Sequence, residues 1–97
     1  MFKIELSDSA LGDLESLKKN EQVLIFDSLE KSLAHEPLNE TRQRKPLRPN
    51  PLAQWELRVD RFRVFYDVDT DSQGVLIKAV GWKDHNILFI RGKEYRL

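Results

Sequence analysis

Alternating apolar and polar residues at the start of the chain are typical of a strand with one face in the core. Phe2, Ile4 and Leu6 alternate with Lys3 and Glu5, and successive side chains of a strand point to opposite faces. The pattern then changes to apolar residues three and four positions apart, which indicates helix. We therefore expect one strand followed by helical segments.

Two helices are predicted between Ser7 and Pro37. Ser7 is suited to cap the first helix, which we expect to end near Lys19, and Asn20 is suited to cap the second. Pro37 stops the second helix. The apolar stripes of the two helices are Ala10, Leu11, Leu14 and Leu17, and Val23, Leu24, Phe26, Leu29 and Leu33. Because the connection is so short, we expect an antiparallel helical hairpin.

The next segment is expected to be a loop that leads into a β-hairpin. Residues 37–51 hold all four prolines and several basic residues, which favours an irregular surface loop. Apolar and polar residues alternate again in residues 55–59 and 62–68. Only Asp60 and Arg61 lie between these two runs, so they predict a tight turn between antiparallel strands.

The C-terminal third contains one strand that is clear from its pattern and one segment that is ambiguous. After a turn-forming stretch that ends at Gly74, residues 75–80 form an almost continuous apolar run. Such a run is typical of a central strand covered on both faces. Residues 87–90 are also apolar, but the run is so short that it predicts either a closing helix or a further strand.

The order of elements predicts a single α+β domain over residues 1–97. The helical hairpin would cover one face of a three-stranded antiparallel meander, and the other face would be open. Alternation places a group of polar side chains on that open face: Glu56, Arg58, Arg63, Lys83 and His85. Polar side chains that converge on an exposed sheet face suggest a functional site.

Charge is distributed unevenly, although the chain has no net charge. Residues 1–36 contain four Lys and eight Asp or Glu, whereas residues 37–66 contain seven Lys or Arg and three Asp or Glu. The remaining residues contain five of each sign. The basic middle of the chain would attract polyanions locally, unless it is only a solvated surface.

The composition excludes several classes of function. The chain has no cysteine, which rules out a disulfide framework and a cysteine nucleophile and fits a reducing compartment. No apolar run approaches the ~20 residues of a membrane span, and no signal peptide is evident, so we expect a cytoplasmic protein without membrane contact. The two histidines, His35 and His85, lie fifty residues apart. No metal site, glycine-rich phosphate loop or nucleophile elbow is present, so no metal or cofactor is expected.

The polar group on the open face has the chemistry required to cleave RNA without a metal. Such cleavage needs a base for the 2′-hydroxyl, a cation for the pentacoordinate phosphorane and an acid for the leaving 5′ oxygen. Arginine, lysine, histidine and glutamate side chains are all present in this group.

Four segments of the chain resemble the RelE/ParE superfamily of bacterial toxins. They read Lys45-Pro-Leu-Arg-Pro-Asn50, Trp55-Glu-Leu-Arg-Val59, Phe62-Arg-Val-Phe-Tyr-Asp-Val68 and Ala79-Val-Gly-Trp-Lys-Asp-His85. The preceding strand and helical pair also match, so the resemblance spans nearly the whole chain. The hairpin motif identifies the fold family better than the activity, because it occurs both in ribosome-dependent mRNA endonucleases and in gyrase inhibitors.

The resemblance also implies roles for particular residues. Arg63 matches the strand arginine that contacts the scissile phosphate in the nuclease branch, and Lys83 matches a basic residue that stabilises the transition state. His85 lies near the place of a C-terminal His or Tyr that acts as acid or base. Backbone-phosphate contacts are expected from the loop and the next strand, at Arg44, Lys45, Arg48 and Arg58, unless these are only solvated charges.

Three positions depart from the pattern of the nucleases. Gln54 and Glu56 stand where some nucleases carry lysines, and Phe89 stands where a tyrosine can be catalytic. Some members use a glutamate and a histidine instead. The resemblance therefore allows Glu56 as the base and His85 as the acid.

The function expected first is that of a type II toxin–antitoxin toxin, a metal-independent endoribonuclease that acts on mRNA in the ribosome. A cognate antitoxin would hold it inactive. The alternatives are a toxin that inhibits DNA gyrase without RNA cleavage and a decayed toxin that retains only antitoxin binding.

Overall fold

The computed structural model describes residues 1–97 and contains two helices and seven strands. In chain order these are β1 (Lys3–Leu6), α1 (Asp8–Glu15), α2 (Lys19–Leu33), β2 (Arg44–Pro46), β3 (Trp55–Val59), β4 (Phe62–Asp69), β5 (Gly74–Asp84), β6 (Ile87–Ile90) and β7 (Lys93–Tyr95). The α+β class and the order of strand, helices and strands are as predicted.

All seven strands form one sheet, built around β5. The order across the sheet is β2-β3-β4-β5-β6-β7, with antiparallel pairing throughout this path. The edge of the 11-residue β5 away from β4 pairs with two strands in turn. Its residues Gly74–Ile77 pair in parallel with β1, and its residues Trp82–Asp84 pair antiparallel with β6. The prediction of a central strand here is confirmed. The predicted hairpin is also present, with Val59 opposite Phe62 and a two-residue turn between them.

The helices pack on one face of the sheet, as predicted. A cluster of 13 buried residues joins them to β3, β4 and β5. Its helical members are Ala10, Leu14, Ile25, Leu29 and Leu33, and its strand members include Leu57, Val64, Tyr66 and Ile77. Neither helix has the length and apolar character needed to cross a membrane.

Local hydrogen bonds explain where the helices begin and end. The Ser7 hydroxyl accepts a hydrogen bond from the Ala10 N–H at 3.1 Å, which is the predicted cap. The first helix ends at Glu15 rather than near Lys19, because the Leu17 N–H donates to the Leu14 carbonyl and tightens the last turn. The second helix begins one residue earlier than its predicted cap.

The expectation that the other face of the sheet is open was wrong. A second cluster of five buried residues lies there, comprising Ala53, Phe65, Ala79, Leu88 and Ile90. The partly buried side chains of Leu47, Leu52 and Tyr95 pack against it. The loop before β3 and the β6–β7 hairpin thus cover the centre of this face, which we call the outer face, and leave polar side chains at its margins.

Two segments differ from their predicted structure in a way that explains this cover. The expected loop 37–51 contains β2, which pairs with β3 at the edge of the sheet. Residues 87–90 form a strand rather than a helix, and Arg91 and Gly92 turn it into β7. Both turn residues have a positive φ, as a tight hairpin turn requires. The meander is therefore extended from three strands to six.

Gly81 allows β6 to cross the outer face closely. A Cβ atom at this position would overlap the Phe89 carbonyl and would lie 2.8 Å from Cγ1 of Ile90. These atoms belong to β6, which contributes Leu88 and Ile90 to the buried cluster on the outer face. The absence of a side chain at Gly81 is thus a condition for burying Leu88 and Ile90.

Helix α1 fills a gap along one edge of β5. This edge is paired with β1 up to Ile77 and with β6 from Trp82, and polar backbone groups between them face α1. The Ser7 hydroxyl donates to the Lys78 carbonyl at 3.3 Å, and a carboxylate oxygen of Asp13 accepts the Val80 N–H at 3.0 Å. The gap is closed because α1 and its cap present one donor and one acceptor to it.

The Asp13 carboxylate also binds the turn between β6 and β7. Its second oxygen lies 2.9 Å from Nε of Arg91, while the Asp13 side chain is only 4% exposed. Burial raises the pKa of Asp13, and the Val80 N–H and the Arg91 guanidinium partly oppose that rise. One side chain therefore links α1, β5 and the β6–β7 turn.

Substitution of Gly81 with Ala should destabilise the protein, whereas substitution of Gly12 with Ala should not. We expect Gly81→Ala to lower the free energy of unfolding by about 1–3 kcal/mol, because the new methyl group displaces the β6 backbone. A methyl group on Gly12, in α1, would meet nothing within 4 Å, so Gly12→Ala should raise stability by about 0.5–1 kcal/mol. Urea denaturation measures both. Equal effects of the two variants would contradict the role assigned to Gly81.

Substitution of Asp13 should distinguish its hydrogen bond from its charge. Asp13→Ala leaves the buried Val80 N–H without an acceptor, and we expect a loss of about 1–3 kcal/mol. Asp13→Asn retains an oxygen acceptor and removes a desolvated charge, so it should retain most of the stability. Asp27→Ala, on an exposed position of α2, is the control and should stay within about 0.5 kcal/mol.

The pH dependence of stability is a second test of the role of Asp13, because it compares the wild type with Asp13→Asn. Since the pKa of Asp13 is higher in the folded state, the stability of the wild type relative to Asp13→Asn should fall as the pH rises through that raised pKa. Denaturation of Asp13→Ala and Asp13→Asn at equal midpoints would contradict the role of the hydrogen bond.

Candidate functional site

A cavity on the outer face lies where β2, the end of β5 and the β6–β7 hairpin meet. It has a volume of about 500 Å³. Its lining comprises Lys45, Pro46, Leu47, Arg48, Glu56, Lys83, Asn86, Ile87, Leu88, Glu94, Tyr95, Arg96 and Leu97. The folded-over hairpin forms one wall, so the same strands that close the outer cluster also create this cavity.

The side chains that line the cavity give it a positive character. Four cationic residues line it, Lys45, Arg48, Lys83 and Arg96, against two acidic residues, Glu56 and Glu94. The chain as a whole has no net charge. Positive charge concentrated in a concave site attracts anionic ligands locally even on a neutral protein.

The structure brings together Glu56 and Lys83, two of the four predicted catalytic residues. Both line the cavity, although they lie on β3 and β5 with β4 between them. Lys45 lies directly opposite Glu56 in the pairing of β2 with β3. A half-buried carboxylate and two ammonium-bearing residues thus line the same cavity, and the carboxylate is available as a proton acceptor.

Arg63 lies on the outer face but is not among the residues that line the cavity. The residue is 5% exposed, and its Nη1 donates to the carbonyls of Asp60 and Phe62, each at 2.8 Å. Burial lowers the pKa of Arg63, the neighbouring Arg58 lowers it further, and Glu56 opposes the shift. The guanidinium stabilises the β3–β4 turn and contributes positive potential near Glu56.

The four predicted RNA-binding residues are placed differently. Lys45 and Arg48 line the cavity, and Arg58 is exposed on the outer face opposite Arg63. Arg44 is engaged elsewhere, because its Nε donates to the Asn39 carbonyl at 2.8 Å and its Nη1 to the Ser32 carbonyl at 2.7 Å. It joins the loop to the last turn of α2, where a cation is favourable.

His85 lies at the tip of the β5–β6 turn, next to the cavity wall. Both turn residues, His85 and Asn86, have a positive φ. The His85 side chain is 92% exposed, and its Nδ1 lies 2.8 Å from Oδ1 of Asp84. Asn86 lines the cavity, whereas His85 is not among its lining residues. The imidazole is accessible to a large ligand that extends beyond the cavity.

Sequence reasoning missed the residues that β7 and the chain end contribute to the site. Glu94, Tyr95 and Arg96 line the cavity, and none was a candidate because no strand was expected after residue 90. The sequence signal for β7 was the pair Arg91 and Gly92, which separates the apolar run 87–90 from the segment 93–95. A glycine in a two-residue connection is a recognised hairpin signal.

The cavity contains groups that can bind a phosphate-bearing ligand. It has a carboxylate that can accept a proton, several cations and the aromatic ring of Tyr95, which suits a base or sugar. No group of three or more His, Cys, Asp or Glu side chains lies close enough to hold a metal ion.

Comparison with known proteins defines the family. The family model described as "ParE toxin of type II toxin-antitoxin system, parDE" matches residues 4–86. Because this match covers most of the chain, the chain belongs to that family and is a toxin of a type II toxin–antitoxin system of RelE/ParE type.

Solved structures of similar fold include proteins from three organisms. The RelBE2 toxin–antitoxin complex of Mycobacterium tuberculosis is 24% identical, with a TM-score of 0.73 over 84% of this chain and 98% of that chain. The isolated Escherichia coli RelE toxin is 20% identical, with a TM-score of 0.69 over 88% and 87%. The RelE–RelB complex of Pyrococcus horikoshii is 19% identical, with a TM-score of 0.57 over 78% and 88%. No curated protein sequence matches the chain.

Proposed function

We propose that this toxin is a metal-independent endoribonuclease that cleaves mRNA, in the cytoplasm and on the ribosome. The observation that carries the proposal is the meeting of Glu56 and Lys83 in a cavity with an excess of cationic side chains. The carboxylate is available as a base, and the cations suit a substrate with a phosphate backbone.

The proposed reaction is an attack of the 2′-hydroxyl on the adjacent phosphorus. The Glu56 carboxylate takes the hydroxyl proton while the bond between O2′ and phosphorus forms. The Lys83 ammonium stabilises the negative charge that develops on the phosphorane oxygens. The bond from phosphorus to O5′ then breaks, which leaves a 2′,3′-cyclic phosphate and a 5′-hydroxyl end.

The remaining predicted residues have supporting roles in this proposal. His85 donates the proton to the leaving O5′, and Asp84 at its Nδ1 orients the ring so that Nε2 faces the substrate. Lys45, Arg48 and Arg58 contact backbone phosphates and position the RNA. Arg63 acts from its buried place by raising the local positive potential rather than by touching the scissile phosphate.

A protein partner completes the proposal. The structure of similar fold from M. tuberculosis is described as a toxin–antitoxin complex, and that from P. horikoshii as a RelE–RelB complex. We propose that a cognate antitoxin binds this chain as well and blocks access to the outer-face cavity.

Inhibition of DNA gyrase without RNA cleavage is the second candidate function. It is favoured by the description of the matching family model as a ParE toxin, because the gyrase inhibitors are one branch of the superfamily that the sequence resembles.

Glu56→Gln and Lys83→Ala should each slow cleavage of a translated mRNA by roughly 10²-fold or more. The measurement is primer extension on a defined transcript in a reconstituted translation reaction. Lys93→Ala is the matched control, since Lys93 is exposed on β7 but does not line the cavity. All three variants should unfold at the wild-type urea concentration.

The two candidate functions predict opposite results in a pair of assays. Cleaved mRNA together with normal supercoiling by gyrase supports the nuclease. Intact mRNA with inhibited supercoiling overturns it in favour of the second candidate. Wild-type cleavage by both Glu56→Gln and Lys83→Ala would overturn the assigned chemistry.

A further inference from the structure

A second cavity adjoins the first along the outer face. It has a volume of about 320 Å³ and lies between the loop before β3 and the strands β4 and β5. Leu47 and Arg48 line both cavities, so the two cavities are neighbours, and we call them together the groove. The polar side chains at the far end of this groove include Asp67 and Lys78.

A β-bulge presents Lys78 to this groove. The pairing of β4 with β5 shifts between Phe65 and Tyr66, which lie opposite Ala79 and Ile77. Lys78 is therefore the extra residue of β5, and a bulge re-aims the side chain of such a residue. The Lys78 side chain is 38% exposed, so its ammonium group is accessible to a ligand.

The charges at this end of the groove favour an anion. Arg48 is exposed, and its side chain makes neither an ion pair nor a hydrogen bond within the chain. Asp67 is the opposing charge, with one oxygen 4.0 Å from Nζ of Lys78 and the other accepting the Gln54 N–H at 2.7 Å. Two cations and one carboxylate thus line this end of the groove, and the carboxylate accepts a hydrogen bond from a backbone group.

We propose that Arg48 and Lys78 form a second phosphate subsite for single-stranded RNA, which binds the backbone several nucleotides from the cleaved bond. This inference rests on the proposed nuclease function. Lys78 and Lys83 lie five residues apart on β5, or about 16 Å along the strand. An RNA chain long enough to place phosphates at both ends of the groove would cross the loop. A longer oligonucleotide should therefore bind more tightly than a short one.

The test is the binding of RNA that cannot be cleaved, because its 2′-hydroxyls are methylated. Affinity for a trinucleotide and for a decanucleotide is measured by fluorescence anisotropy over a series of salt concentrations. We expect Lys78→Gln to weaken binding of the decanucleotide severalfold and to reduce the slope of log K against log salt by about 0.7. Binding of the trinucleotide should not change.

Two further variants sharpen the test. Asp67→Asn removes the opposing charge but retains an acceptor for the Gln54 N–H, so it should strengthen binding of the decanucleotide. Lys93→Gln removes an exposed charge outside the groove and should leave affinity and slope unchanged.

The outcomes separate this proposal from the proposed function. If Lys78→Gln and Lys93→Gln give the same affinity and slope while the wild type binds and cleaves RNA, the second subsite is overturned and the nuclease remains. If the wild type neither binds the decanucleotide nor cleaves mRNA, the proposed function itself is overturned.

Discussion

The arrangement of the outer face depends on the buried carboxylate of Asp13, which lies on a helix that packs against the other face of the sheet. Asp13, on α1, accepts the Val80 N–H where the edge of β5 away from β4 lacks a neighbouring strand, and it pairs with Arg91 in the turn between β6 and β7. The same hairpin carries Leu88 and Ile90 across the outer face and forms one wall of the cavity. A helix that packs on one face of the sheet therefore determines the shape of the site on the other.

The cavity is positively charged, although the protein as a whole has no net charge. Some basic residues in the middle of the chain form structural hydrogen bonds, and others line the cavity. Arg44 and Arg63 are used in hydrogen bonds to backbone carbonyls, which stabilise the loop before β2 and the β3–β4 turn. Lys45 and Arg48 remain on the cavity wall, where Lys83 and Arg96 join them from distant parts of the sequence. This clustering makes an overall charge of zero compatible with a polyanionic substrate.

The fold was more predictable from the sequence than the site. Local alternation and helical spacing are sufficient to locate β1, the two helices and the three central strands, because each packs apolar side chains against the core beneath the helices. The short strands β2, β6 and β7 were missed or left ambiguous, since three or four residues carry little periodicity and their positions depend on tertiary contacts such as Gly81 against Phe89. Glu56 and Lys83 were expected on the outer face, but the burial of Arg63 and the contribution of Tyr95 depend on tertiary contacts that the local pattern does not encode.

The most direct test of an RNA-binding outer face is to map where RNA contacts the folded protein in solution. Backbone amide NMR shifts, recorded while a 2′-O-methylated oligonucleotide is titrated into the ¹⁵N-labelled toxin, report this residue by residue. We expect the largest changes on the outer face, at Lys45, Glu56, Lys83 and Tyr95, with little change in α2. Changes concentrated on the two helices, or none at saturating RNA, would contradict the placement of the site.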